Sequence, residues 1–241
     1  MTVPRVEVHE DATELATTVA GELLTRLAAA QQAGRLAQVA LTGGSIADAV
    51  HREVARLAPG AAVDWSQVVV WWGDERFVDA GSSDRNGGQA RAAFLDAVGA
   101  DPANVHEMPS TADAETVEAA AEAYAQTLRE HGSGEFEVVM LGVGPDGHVA
   151  SLFPGHPALD ATDRIAVAVP DSPKPPPERV SLTFASLNRT RAAWFLVSGE
   201  EKAAAVAAAL GGAAGHDTPA AGVSGQDETV WFLDRAAASR L

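Results

Sequence analysis

Three charged residues close a strongly apolar run in Val68-Val69-Val70-Trp71-Trp72-Gly73-Asp74-Glu75-Arg76, and a second apolar run, Val138 to Gly142, leads into Gly144-Pro145-Asp146-Gly147-His148. Histidine can take a proton from water near neutral pH, the step that makes a hydrolytic nucleophile. His148 is therefore the candidate base. Asp146, Asp74 and Arg76 are the charged groups that could orient it or stabilise developing charge. Asp146 and His148 are two apart, so a regular helix would splay them, whereas Gly147 permits a turn that joins them. Asp74 is the alternative partner. The plainer readings are a helix-capping Asp146 with a structural His148, and a solvated acidic loop in which Arg76 pairs with a carboxylate.

A different chemistry is suggested by Leu41-Thr42-Gly43-Gly44-Ser45, which ends a strand and opens a helix. Gly43 and Gly44 let backbone approach a ligand closely, and the free N–H groups and dipole of the helix after Ser45 favour a phosphate. The segment is neither a Walker A loop nor a dinucleotide fingerprint. Asn86, on the connection beyond Arg76, either shapes the site or starts the next helix. The proline-rich stretch Asp171 to Glu178 holds Lys174 and delivers Arg179 to a strand start, as a stiff connector or as the rigid rim of a charged pocket. Lys202 lies in the first turn of a helix, where the dipole disfavours positive charge. A bound anion would offset that penalty, as would a salt bridge to Glu201. Lys174 and Lys202 are the only lysines of the chain.

Composition removes other chemistries. There is no cysteine, hence no thiolate nucleophile and no cysteine-held zinc. Asp74, Asp146, His148 and His156 are ligand types, but no spacing resembles His-Glu-x-x-His, so no metal is expected. No Gly-x-Ser-x-Gly elbow is present, which points to water rather than serine as nucleophile. The formal net charge of -16 opposes nucleic acid and anionic membrane as partners, so an anionic ligand must meet a local positive pocket. The first residues lack the basic and apolar regions of a signal peptide, and the longest apolar stretch, Ala203 to Leu210, is too short to span a bilayer. The expectation is a cytoplasmic protein, monomeric or weakly homo-oligomeric, acting on a small molecule without a cofactor.

These groups need a scaffold that brings distant segments together. Short runs of Val, Leu, Ile and Trp alternate with longer segments of helical period, the pattern of βαβ units, and the 241 residues are read as one α/β domain with a mostly parallel sheet and helices on both faces. Strands are expected near Arg5 to His9, Gln38 to Thr42, Val68 to Gly73, Phe136 to Gly142, Ile165 to Val169, Val180 to Phe184, Trp194 to Ser198 and Thr229 to Leu233. Helices are expected over Asp11 to Ala33, Ile46 to Leu57, Gly88 to Val98, Ala112 to His131 and Glu200 to Leu210, with a last turn or two after Asp234. Ser45 and Thr111 are the expected capping residues. Asp171 to Glu178 and Gly211 to Gly225 read as surface loops. In such a sheet, ligands lie beyond the C-terminal strand ends.

In this order, Trp72-Gly73-Asp74-Glu75-Arg76, Gly144 to Pro154 and Pro173-Lys174-Pro175-Pro176-Pro177-Glu178-Arg179 resemble the 6-phosphogluconolactonase family, a branch of the group that includes glucosamine-6-phosphate deaminase. The resemblance runs from about Leu41 to Lys202. It implies a Rossmann-like α/β fold and hydrolysis of 6-phospho-D-glucono-1,5-lactone in the oxidative pentose phosphate pathway. It further implies His148 as base, Gly43, Gly44 and Ser45 as phosphate loop, Arg179 and Lys202 as phosphate-binding positions, and Arg76 as an active-site arginine. Ile46 and Ala47 depart from the Thr-Pro frequent in the family, and Asp79 from a common proline. The deaminases follow Asp-Glu with tyrosine where this chain has Arg76, which favours the lactonase branch. A sugar-phosphate sensor, the third possibility, would be expected to carry an effector segment.

Overall fold

The computed structural model describes residues 3–241. Six strands form a parallel sheet: β1 (Arg5–His9), β2 (Ala37–Leu41), β3 (Val68–Trp72), β5 (Phe136–Gly142), β8 (Thr190–Val197) and β9 (Glu228–Asp234), in the order β1-β9-β8-β5-β2-β3. Strands β2 and β3 are buried at every position, and β5 and β8 at nearly every one. That explains why their sequences run apolar without alternation. A contiguous core extends from Leu15 to Ala237. Some of the polar atoms that enter it are matched, as where Trp71 Nε1 donates to Gln38 Oε1 at 2.9 Å and Tyr124 Oη accepts from Trp72 N at 2.9 Å and donates to Trp72 O at 3.0 Å, while Trp65 Nε1, Trp72 Nε1 and His51 Nε2 are buried without a partner.

A second sheet of three antiparallel strands holds β4 (Asp74–Arg76), β7 (Arg179–Leu182) and β6 (Ala166–Val169), in the order β4-β7-β6. Two of the expected strands, near Ile165 and Val180, thus lie outside the parallel sheet. Asp74 to Arg76, expected as a charged loop, is itself a strand, with Arg76 opposite Arg179. The main chain turns at Gly73, whose N–H donates to Leu41 O at 2.9 Å while its carbonyl accepts from Leu182 N at 2.8 Å. Gly73 therefore belongs to both sheets.

The helices are α1 (Ala12–Gln32), α2 (Ser45–Leu57), α3 (Asn86–Ala90), α4 (Asp96–Val98), α5 (Val117–His131), α6 (Phe184–Leu187) and α7 (Ala203–Leu210), with a π-helical segment Arg91–Leu95 joining α3 to α4. Asp11 caps α1 through its carboxylate on Thr13 N and Glu14 N. The caps expected at Ser45 and Thr111 are corrected. Gly44, at φ 99°, is the N-cap of α2, and Ser45 is its first helical residue and makes no capping bond. Thr116 caps α5, because Ser110 N and Oγ both donate to Asp113 and hold the preceding residues in a turn. Phe184, expected to end a strand, opens α6 behind the capping Thr183. The Gly211 to Gly225 stretch is partly packed inward, with Thr218, Pro219 and Ala220 buried. No helix of the described residues is long and apolar enough to cross a membrane.

Candidate active site

The chain winds from β2 to β3 toward one edge of the parallel sheet and from β5 through β8 to β9 toward the other, so the order reverses between β2 and β5. Loops leaving neighbouring strands in opposite directions part there and open a crevice at the C-terminal strand ends. A cleft of about 280 Å³ occupies that place. Gly43, Gly44, Ser45, Asp74, Arg76, Asn86, His148, Lys174, Arg179 and Lys202 all line it. Of the expected catalytic and phosphate-binding residues, Asp146 alone is absent from the lining, and it stands behind His148.

The turn after β5 brings acid and imidazole together. Gly147, at φ 84°, lets the chain reverse, and Gly147 N donates to Gly144 O at 2.9 Å and Gly144 N to His148 O at 3.0 Å. His148 Nδ1 then lies 2.5 Å from Asp146 Oδ1. Burial pushes the Asp146 carboxyl up, but the hydrogen bond and charge of His148 outweigh it and hold the group at about 2. An ionised Asp146 can only accept, so Nδ1 carries the hydrogen of the bond, and in a neutral ring the lone pair is on Nε2. The Phe153 ring, 4.5 Å from the imidazole, packs against it. A Cβ on Gly144 would overlap the His148 ring. The turn is braced from the Gly211 to Gly225 stretch, where Ala220 N donates to Gly147 O at 2.9 Å. Asp74 has another partner: its Oδ2 accepts from Ser151 Oγ at 2.6 Å.

Arg76 makes no ion pair. Its Nη1 donates to Asp84 O at 3.0 Å and to Asn86 Oδ1, and its Nε is buried without a partner. Asn86 both begins α3 and enters the cleft, and its Nδ2 donates to Asp74 O at 2.9 Å. A Cβ on Gly43 would collide with the Asn86 amide, so this glycine is required by the close approach. Beneath the group lies Glu75, 1% exposed, whose carboxylate accepts from Asn86 N, Gly87 N and Arg76 N, each at 2.8 Å. Burial raises its proton affinity and these N–H groups oppose the rise. Glu75 pins the start of α3 to β4.

Arg179, 6% exposed, spends part of its fork on the proline-rich loop: Nε donates to Pro176 O, and Nη2 to Lys174 O and Pro175 O, each at 3.2 Å. Burial lowers the proton affinity of its guanidinium and the nearby Asp74 raises it, with the first effect the larger. Ser172 N closes the same loop on Pro177 O at 2.9 Å. The loop is thus a rim shaped by Arg179, with Lys174 on it. Lys202 makes no ion pair with Glu201.

Charge is distributed unevenly. Ten of the seventeen Lys and Arg side chains are in ion pairs with carboxylates. Among the described residues, the others are Arg76, Lys174, Arg179, Lys202, Arg164, Arg189 and Arg240, and the first four line the cleft. A protein with an excess of acidic groups thus keeps four cations outside ion pairs around one cavity, with Asp74 the one carboxylate in its lining. No group of three or more His, Asp and Glu side chains is placed to hold a metal among the described residues.

Sequence reasoning missed Glu75 and Ser151 as organising groups, although both lie within segments it selected. Their partners, Asn86 and Asp74, are 11 and 77 residues away, and no local period signals such a pairing. Ala150 was also unmarked. It lines the cleft with φ 49°, a left-handed conformation uncommon without glycine.

An α/β fold thus carries a switch-point cleft lined by four cations, with a carboxylate–imidazole pair at its wall. The chain belongs to the glucosamine-6-phosphate isomerase/6-phosphogluconolactonase family, which it matches over residues 10–231. It is 45% identical to the 6-phosphogluconolactonase of Streptomyces coelicolor over 247 residues, covering 99% of this chain and 95% of that one. It is 41% identical to the Mycobacterium tuberculosis 6-phosphogluconolactonase over 244 residues, covering 98% of each. The crystal structure of the Thermotoga maritima 6-phosphogluconolactonase superposes with a TM-score of 0.85 at 26% identity, covering 96% of this chain and 99% of that one.

Proposed function

We propose that this chain hydrolyses 6-phospho-D-glucono-1,5-lactone to 6-phospho-D-gluconate, the ring-opening step of the oxidative pentose phosphate pathway, with His148 as general base. The observation that carries the reading is the Asp146–His148 pair opening onto a cleft lined by four cations that are outside ion pairs. The substrate phosphate docks on the N–H groups of Gly43 to Ser45, with Lys202 and Arg179 supplying positive charge. Lys174 and Asn86 complete the wall. Nε2 of His148 removes a proton from water as the water oxygen bonds to the lactone carbonyl carbon. Asp146 holds the ring in the tautomer this needs and stabilises the imidazolium that forms. Arg76 and cleft N–H groups stabilise the oxyanion. The bond from carbonyl carbon to ring oxygen then breaks, and the imidazolium returns its proton to that oxygen. The carboxylate of Asp74, steadied by Ser151, faces the sugar hydroxyls.

A coupled assay with freshly generated lactone, corrected for spontaneous hydrolysis, tests this. His148→Ala should fold normally and lose roughly 10² to 10⁴ in turnover, the usual worth of a positioned base. Near-wild-type hydrolysis by that variant removes His148 from the mechanism. Ammonia release from glucosamine 6-phosphate would instead assign the chain to the deaminase branch.

A further inference from the structure

We propose that Lys202 is a site of covalent acylation by small acyl phosphates, directed by the same cleft that takes the sugar phosphate. The inference rests on the phosphate-binding part of the function proposed above. The chain has two lysines in 241 residues, Lys174 and Lys202, and both line the cleft without an ion-pair partner. There is no cysteine to compete for an electrophile. Apart from the N-terminal amine, every amine of this protein faces one anion-binding cavity.

The geometry of the electrophile decides which amine reacts. In a sugar lactone 6-phosphate, the acyl carbon is at the far end of the molecule from the phosphate, so a cation that holds the phosphate is kept away from it. In an acyl phosphate the acyl carbon is bonded directly to a phosphate oxygen. A lysine in contact with that phosphate is then within reach of the carbon, and binding supplies the proximity that solution chemistry lacks. The Lys202 ammonium first gives a proton to the bound phosphate or to water; the neutral Nζ then attacks the acyl carbon, the bond from that carbon to the phosphate oxygen breaks, inorganic phosphate leaves, and the nitrogen gives its second proton to the phosphate or to water. The product is a neutral amide. It removes one of the four cleft cations and adds bulk to the wall of the cleft, so substrate binding is lost.

Exposure separates this directed reaction from random labelling. Lys174 is exposed on the proline-rich rim, whereas Lys202 is half-buried. Unassisted acylation therefore favours Lys174 over Lys202; phosphate-directed acylation favours Lys202. The experiment treats the folded protein with acetyl phosphate and follows each amine by peptide mass spectrometry, with and without inorganic phosphate as competitor. Lys202 should acetylate fastest, and phosphate at about ten times its own Kd should slow it roughly tenfold while leaving the N-terminal amine unaffected. Lys202→Arg should abolish acetylation at that position and leave the Lys174 rate as it was. Faster labelling of Lys174 or of the N-terminal amine, or a Lys202 rate indifferent to phosphate, overturns the proposal. Because the readout is the site of labelling, it is independent of whether the unmodified protein opens the lactone.

Discussion

Replacing Asp146 by asparagine keeps the shape of the turn after β5 and removes only the charge behind the imidazole. The wild-type carboxyl is held at about 2 against an ordinary value of 3.8, chiefly by His148 working against burial. That difference corresponds to roughly 2.5 kcal/mol of interaction favouring the ionised acid. With 40% of the Asp146 side chain in solvent, screening reduces it to about 1.5 kcal/mol, or a roughly tenfold loss of kcat for Asp146→Asn. The loss belongs in kcat, because Asp146 faces His148 and does not line the cleft. It should also vanish when the imidazole is absent: His148→Ala and the double variant should be equally slow, since a group acting through another has nothing to act on once that other is gone. The assay is steady-state lactone hydrolysis with kcat and KM resolved, for the two single variants, the double variant and the parent. Losses that multiply in the double variant, or an Asp146→Asn effect confined to KM, would refute the pairing of roles.

Other parts of the molecule give sharper tests of the fold. His51 is 3% exposed, stacks on Phe94 at 4.9 Å, and is held neutral by burial with its proton affinity lowered to about 4. Its unfolded form protonates near 6.5, so the native state loses stability as pH falls from about 6.5 to about 4, by about 3 kcal/mol in all. His51→Leu should flatten the acid side of a plot of melting temperature against pH, and an unchanged slope would count against this. Gly43→Ala should displace Asn86 and with it Arg76, lowering kcat/KM with little change in melting temperature; a variant that retains full activity would show that the close approach is dispensable. Glu75→Gln turns an amide N–H toward one of three backbone donors and should cost about 1 to 3 kcal/mol of stability in denaturant titration. A neutral result would mean that α3 is held by other contacts.

The parallel sheet was legible because β2, β3, β5 and β8 are covered on both faces and therefore almost uniformly apolar. The small sheet was not, for the opposite reason. Asp74-Glu75-Arg76 has the composition of a solvated loop, and it is a strand only because Ser151, Asn86 and Gly87 satisfy its two carboxylates from elsewhere in the chain. The capping error at Ser45 has a similar origin: hydroxyl type suggested a cap, while the backbone put Gly44 there through a positive φ that sequence does not display. The cleft residues were selected from strand ends and glycine turns, and the switch point between β2 and β5 brings those ends together. Which carboxylate stands beside His148 depended on the conformation at Gly147, a torsion that residue types permit but do not dictate.

The histidine and its aspartate are separated by a single glycine, while the cations around them arrive from three remote parts of the chain. The proposed proton-transfer pair is therefore complete within one short turn, whereas the cation set exists only in the assembled whole. Divergence can act on the two independently. Loops that bear the cations can be rewritten to admit a new phosphorylated sugar without disturbing the base, which gives a physical route by which one ancestral scaffold could come to serve several carbohydrate reactions.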